Sequence, residues 1–150
     1  ANELRSSAHS VGEANLHLQL TPAYRQQVFA DPLVRELVVA YVVEKARDAV
    51  RISAIEAGPD HLHLFVSEWR CYAPAELVRQ LKGYSSYMMR KGHKELFQHL
   101  LWGKKFWSGG YFYRTVGAVN STTVKRYIQE GQRKHWNENM HEQQTLVTYR

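Results

Sequence analysis

Gly58-Pro59-Asp60-His61-Leu62-His63-Leu64-Phe65-Val66 is the stretch whose reading decides the fold. Gly58 and Pro59 carry backbone angles that end one element and reverse the chain. The residues after them alternate, with His61 and His63 on one face of a strand and Leu62, Leu64 and Val66 on the other. Upstream, Arg51 to Ala57 (Arg-Ile-Ser-Ala-Ile-Glu-Ala) reads as a second short strand. So short a link between two strands implies an antiparallel hairpin. Two imidazoles one residue apart on a strand project the same way, close enough to share one cation.

Working outward, Asn15-Leu16-His17-Leu18-Gln19-Leu20 alternates strictly and predicts a half-buried strand. Thr21-Pro22 ends it, and a polar connection with Arg25, Gln26 and Gln27 leads to Asp31-Pro32. Those two read as a helix N-cap followed by proline in the first turn. The helix then carries Leu33, Leu37, Ala40, Tyr41, Glu44 and Val50, its apolar stripe thickened by Val34, Val38, Val42 and Ala49. Pro74 opens a second helix with Leu77, Leu81, Tyr84 and Met88 spaced three or four apart. Arg90-Lys91-Gly92, basic residues and then glycine, suits its C-terminus. Residues 93–110 read as irregular and rich in aromatics and lysine, and Tyr111 to Val116 as a fourth strand. Gly117 to Asn120 is a turn, and Ser121 or Thr122 caps a last helix carrying Val124, Tyr127 and Ile128 toward Trp136.

The order strand, helix, strand, strand, helix, strand, helix predicts an α+β domain. Its first six elements are the βαββαβ, ferredoxin-like split βαβ arrangement, an antiparallel sheet with helices on one face. A C-terminal helix carrying Tyr127 is added to it. Residues 1–14 read as a loosely held lead-in, 15–136 as core and last helix, and 137–150 as a polar, frayed tail of a single domain.

With 150 residues, 44% of them apolar, the chain can bury a core. No apolar run approaches the roughly 18 to 20 residues of a membrane span. Ala1-Asn2-Glu3-Leu4-Arg5 has no signal-peptide h-region, and the single Cys71 cannot form an internal disulfide. The expectation is a cytoplasmic protein. Twenty Lys and Arg against 14 Asp and Glu, a net charge of +6, suit a polyanionic partner such as nucleic acid. A solvated basic surface explains the same numbers equally well.

Neutral imidazole is a common metal ligand, and two on one strand have little rotamer ambiguity. A bare His-x-His pair is a weak motif; two polar residues on an outer sheet face would look the same. Neither cysteine nor a dense histidine cluster accompanies it, which argues against a closed structural zinc site. An open coordination shell suits a catalytic Mg²⁺ or Mn²⁺ on phosphate oxygens. His17 lies on the first strand with no role assigned by sequence. Tyr127, in Tyr127-Ile128-Gln129-Glu130-Gly131-Gln132, is a candidate nucleophile or an amphipathic core tyrosine.

Here the residues carry a resemblance. Pro59-Asp60-His61-Leu62-His63-Leu64-Phe65-Val66 resembles the signature of the HUH nucleases, His, hydrophobic, His. Val124-Lys125-Arg126-Tyr127-Ile128, following Tyr111-Phe112 and Gly117, resembles their single-tyrosine helix. In this order the chain resembles the small transposases of the insertion-sequence 200/605 type, TnpA-like and related to the REP transposase domain, from about Leu16 to His135. Leu81-Lys82-Gly83 and Leu101-Trp102 belong to the match.

The resemblance implies a single-strand DNA endonuclease and strand transferase. Tyr127 would attack a phosphodiester to give a 5′-phosphotyrosine and a free 3′-OH, and His61 and His63 would hold the divalent metal. It also implies a homodimer and recognition of DNA hairpins at the element's ends. One departure stands out. The family places a Gln four residues after the tyrosine as third ligand, and here that position is Gly131. Gln132 follows one residue late, rotated roughly 100° on a regular helix, which a π-bulge would correct. Glu130 is the competing ligand on an undistorted helix; Gln132 is the preferred one.

With DNA as substrate, Lys82, Arg90, Lys91, Lys104, Lys105, Lys125, Arg126 and Arg133 become candidate phosphate contacts. Trp102, Phe106, Trp107 and Tyr113 could stack on unpaired bases, though most read equally as core. The main alternative is a catalytically inactive single-stranded nucleic-acid-binding domain of the same fold. An RNA-recognition domain would show aromatics where His61 and His63 stand. A His-x-His-x-His nucleotide hydrolase would need histidine at Phe65.

Overall fold

The structure, a computed structural model, describes residues 5–7, 10–12, 14–101, 103, 105–117 and 147–149. Expectations for Trp102, Lys104 and residues 118–146, including the tyrosine helix, lie outside the described residues. The elements are β1 (Arg5–Ser7), β2 (Ser10–Gly12), β3 (Asn15–Leu20), α1 (Pro32–Arg47), β4 (Arg51–Gly58), β5 (His61–Ser67), α2 (Pro74–Phe97), β6 (Phe112–Val116) and β7 (Val147–Tyr149).

The main sheet runs β6-β3-β5-β4-β7, every pairing antiparallel. Its first four strands stand in the ferredoxin-like order the element pattern predicts. β4 and β5 pair from Arg51↔Ser67 to Gly58↔His61, so only Pro59 and Asp60 form the loop. No residue of that loop has positive φ, so the turn is not one of the primed types that usually close such hairpins. The Pro59 carbonyl accepts from the Phe29 N–H at 3.0 Å, which secures the turn from outside.

Two differences concern the ends. β1 and β2 pair as a small hairpin where the sequence reads as patternless. β7 pairs with β4 (Ile55↔Tyr149, Glu56↔Thr148, Ala57↔Val147) where a frayed tail is expected. The physical reason is the edge of β4, whose backbone N–H and C=O groups take a strand wherever one can reach them.

The core lies between the sheet and the two helices. Leu16, Leu18 and Leu20 of β3 meet Leu62, Leu64 and Val66 of β5 on this face, all fully buried. Asp31 caps α1 as expected, its carboxylate accepting from the Leu33 N–H at 2.9 Å. The buried stripe of α1 is Val34, Val38, Val39, Val42, Val43 and Ala46. Leu33, expected to lead that stripe, is half exposed. Periodicity found the helix, and packing chose the valine row.

In α2 the buried row is Leu77, Leu81, Ser85 and Met89, with Tyr84 and Met88 only partly covered. Ser85 leaves room for Trp107, whose indole N–H donates to the Ser85 hydroxyl at 2.9 Å. The helix passes its expected end at Gly92 and runs to Phe97, with non-helical backbone at His93. That break is held by a 2.8 Å hydrogen bond between Tyr41 Oη and His93 Nε2. Residues 105–108 lie beside the chain after β3, through Ala23 N–H to Phe106 O (2.9 Å) and Ser108 N–H to Thr21 O (2.8 Å). Phe106 and Trp107 are therefore core residues.

Candidate metal centre

The second face of the sheet carries the polar chemistry. Register places Gln19 between Phe112 and His63, and His63 opposite Glu56. One row along, His17 lies between Arg114 and Phe65. This face is covered, with His17, Glu56, His61 and His63 all buried. Burial of so many titratable groups on one face requires that they satisfy each other or a ligand.

His61 and His63 are two residues apart on β5, a spacing of about 6.6 Å along a strand. Their ring centroids are 4.8 Å apart at an interplanar angle of 75°, so the imidazoles lean toward each other. Each ring is held through Nδ1. His61 Nδ1 lies 2.8 Å from Asp60 Oδ1. An ionised carboxylate can only accept, so the proton is on Nδ1 and the Nε2 lone pair of His61 is the one offered to a cation. Asp60 Oδ2 accepts in turn from the Arg25 guanidinium at 3.2 Å. Tyr24 and Arg25 both adopt left-handed backbone conformations, at φ 58° and 52°, which is uncommon outside glycine. Burial alone would raise the Asp60 pKa, but its hydrogen bond to His61 and the charges of His61 and Arg25 outweigh that and hold it below its ordinary value. The carboxylate stays ionised, as its role at His61 requires.

His63 Nδ1 lies 2.9 Å from His17 Nε2. Burial, then the neighbouring His61 and His17, push the His63 pKa well below its ordinary value. Burial, then Arg114, take His17 from 6.5 to about 4. Both rings are thus neutral at physiological pH, the form in which imidazole ligates metal. Gly58 completes the site. A β-carbon built there would lie 2.4 Å from His61 Cε1 and 2.6 Å from its Nε2, so glycine backbone forms the floor under this ring.

These donors fit a divalent cation: two imidazole nitrogens converge, one of them backed by a carboxylate that orients it. Among the described residues no group of three or more His, Cys, Asp or Glu could hold a metal ion. The described part holds the two candidate ligands His61 and His63, and the expected third, Gln132 or Glu130, lies outside it together with Tyr127. Sequence reasoning misses two contributors at His61. Asp60 reads as a turn residue and Arg25 as part of a polar link. A signal for Asp60 is available, since an Asp directly preceding a ligand histidine can reach its Nδ1.

Comparison with known proteins gives the context of this geometry. Residues 10–131 match the family described as "Transposase IS200 like". The chain belongs to the IS200-like transposase family. It is similar to the ISDra2 transposase TnpA of Deinococcus radiodurans, 27% identical over 127 residues, which is 85% of this chain and 90% of that protein. It is also similar to the transposase for insertion sequence element IS200 of Salmonella typhimurium, 29% identical over 83% of this chain and 81% of that one. A crystal structure from Deinococcus radiodurans R1, assigned as a transposase, superposes with a TM-score of 0.67 at 25% identity, covering 84% of this chain and 96% of that one. An IS200-like transposase is a DNA-processing enzyme, and among the described residues no helix is long and apolar enough to cross a membrane.

The basic residues divide. The Lys82 ammonium donates to the carbonyls of Ser108 (2.8 Å) and Gly110 (2.7 Å), so it ties α2 to the loop before β6. Arg90 is half-buried, with Nη2 enclosed and without a hydrogen-bond partner among the described residues. Lys91 is exposed beside the Tyr87 ring, and Lys105 is exposed. Lys104, Lys125, Arg126 and Arg133 lie outside the described residues. Of the aromatics expected to stack on bases, Tyr113 is exposed on β6, and Phe112 beside it is exposed as well.

Proposed function

We propose that this IS200-like transposase cleaves and rejoins single-stranded DNA through Tyr127 at a divalent-metal centre built on His61 and His63. The observation that carries the reading is the pair of imidazoles converging to 4.8 Å on β5, with His61 Nδ1 held by Asp60. Family membership supports the tyrosine half of it.

In this mechanism the Tyr127 oxygen attacks the scissile phosphorus, forming the phosphotyrosine bond as the phosphorus–O3′ bond breaks. The phenol proton is lost to solvent, and the departing oxygen takes up a proton as a free 3′-OH. A second 3′-OH then attacks the phosphotyrosine, releasing the tyrosine and rejoining the strand. One phosphodiester replaces another, so no nucleotide cofactor is consumed. Bound Mg²⁺ or Mn²⁺ would polarise the phosphate and reduce the cost of its developing charge. His61 and His63 hold the cation, Asp60 keeps the His61 lone pair outward, and Gln132, with Glu130 as competitor, completes the ligand set. Lys125 and Arg126 beside Tyr127 would stabilise charge on the phosphate, and Lys91 and Lys105 would follow the strand. The protein works as a homodimer in the cytoplasm on hairpins at the ends of its element.

The test is an adduct assay. With hairpin-bearing single-stranded DNA and Mn²⁺, the protein is expected to give an SDS-stable DNA adduct that EDTA abolishes. Tyr127→Phe should give none and His61→Ala should give little; an equal adduct in Tyr127→Phe would sink the mechanism. Tight hairpin binding with no adduct in wild type would instead mark a non-cleaving binding domain.

A further inference from the structure

The two candidate ligands are oriented by different chemistries. His61 has a carboxylate at Nδ1, whereas His63 has another imidazole, His17, at 2.9 Å. His17 is itself fixed in place. It stacks parallel on Phe65 (centroids 4.4 Å, interplanar 6°), and Phe112 meets it edge-on at 5.8 Å. It is 2% exposed, on the strand next to His63.

Two neutral imidazoles sharing one hydrogen bond leave a choice of proton position. If His17 Nε2–H donates, His63 must carry its proton on Nε2 and cannot ligate through that nitrogen. If His63 Nδ1–H donates, His17 accepts and the His63 Nε2 lone pair is available to a cation. We propose that His17 is the positioning residue for His63, accepting its Nδ1 proton and so presenting Nε2 to the metal, as Asp60 does for His61. This role rests on the metal-centre reading under Proposed function. It differs from that of Asp60 in one respect: a neutral ring can also donate, so it orients His63 without bringing a fixed negative charge onto a buried face.

The chemistry favours the accepting role for His17 once a cation is present, because a metal on His63 Nε2 requires the proton on Nδ1. The ring contacts explain why a histidine serves here. Phe65 stacks on one face of the His17 ring and Phe112 meets it edge-on, which fixes the ring plane; with Nε2 accepting, the His17 proton is on Nδ1.

The experiment uses ¹⁵N-histidine-labelled full chain and long-range ¹⁵N–¹H correlation in EDTA, followed by Mn²⁺ titration by calorimetry. In metal-free wild type His63 is expected to be protonated on Nδ1, with His17 Nε2 unprotonated. His17→Phe, which keeps a flat ring against Phe65, should retain the fold yet weaken Mn²⁺ binding about 10- to 100-fold. His17→Gln, whose amide oxygen can accept, should recover part of that loss. An Nε2–H tautomer at His63 in wild type, or wild-type Mn²⁺ affinity in a folded His17→Phe, overturns the proposal. Should His17→Phe fail to fold, the wild-type tautomer decides alone. A wild type that binds no Mn²⁺ while His63 is Nδ1-protonated would refute the metal reading and leave His17 as the acceptor at His63.

Discussion

Gly58→Ala separates the metal site from the fold. Glycine 58 has no positive φ, so alanine could adopt its backbone without strain. Were nothing nearby, the substitution would stabilise the protein by about 0.4–1 kcal/mol by restricting the unfolded chain. The ring of His61 is nearby. A new Cβ would sit 2.4 Å from Cε1, 2.6 Å from Nε2 and 3.1 Å from Nδ1, over the ring face. No contact of that length survives, so the imidazole must swing away or the hairpin must open at Gly58↔His61. Swinging the ring breaks its 2.8 Å bond to Asp60, a hydrogen bond to a charged acceptor worth about 1.5–3 kcal/mol. Set against the alanine gain, the net loss is about 0.5–2.5 kcal/mol, read as a lower urea midpoint at unchanged slope. Metal binding should suffer more, by about 10- to 100-fold in Mn²⁺ affinity, because the ligand itself has turned. Calorimetric titration beside urea unfolding checks both numbers. Wild-type Mn²⁺ affinity in Gly58→Ala would refute the account of His61 as a ligand held from below by glycine backbone.

Other parts of the molecule give three further expected outcomes. Lys82→Ala should lower stability by about 1 kcal/mol, discounted for partial exposure, and leave the salt dependence of DNA binding unchanged. Lys91→Ala or Lys105→Ala should instead reduce the slope of log affinity against log salt by about 1; a reduced slope in Lys82→Ala would return that lysine to the DNA surface. At the start of α2 the Glu76 pKa is lowered from 4.5 to about 2 by hydrogen bonds from Arg79 and then Gln80. A depressed carboxylate stabilises the folded state above its unfolded pKa and loses that contribution as pH falls through the folded one. Any stability advantage of wild type over Glu76→Gln should therefore be full above about pH 4.5 and fade toward pH 2. A carboxyl ¹³C titration of Glu76 with its midpoint near 4.5 would contradict this.

The hairpin, the strand alternation and the helix starts were legible because each is a local matter. Pro59-Asp60 turns the chain, Asp31 caps α1, and the leucines of β3 and β5 alternate with the pleat. The placement of His61 and His63 on one strand was legible as a spacing. The helix faces were less so. Leu33 and Val34 are both apolar neighbours, and only the position of the sheet buries one and exposes the other. The extension of α2 past Gly92 was hidden for a similar reason, since Tyr41 on another helix holds the break at His93. Lys82 read as a candidate phosphate contact, and its tie to the loop before β6 was hidden because the carbonyls it meets lie 26 and 28 residues away.

Sequence alone determined the order of the six elements from β3 to β6, the two histidines on one strand face and the turn that carries them. Each depends on backbone preferences and side-chain alternation within a few residues. The tertiary structure decided which groups orient those histidines. Asp60 adjoins His61 in the chain, yet it is kept ionised partly by Arg25 from a separate loop. His17 reaches His63 only because β3 and β5 are neighbours, 46 residues apart in sequence and 2.9 Å apart in space. Protonation states depend on burial and on partners across strands, and neither exists until the sheet has formed.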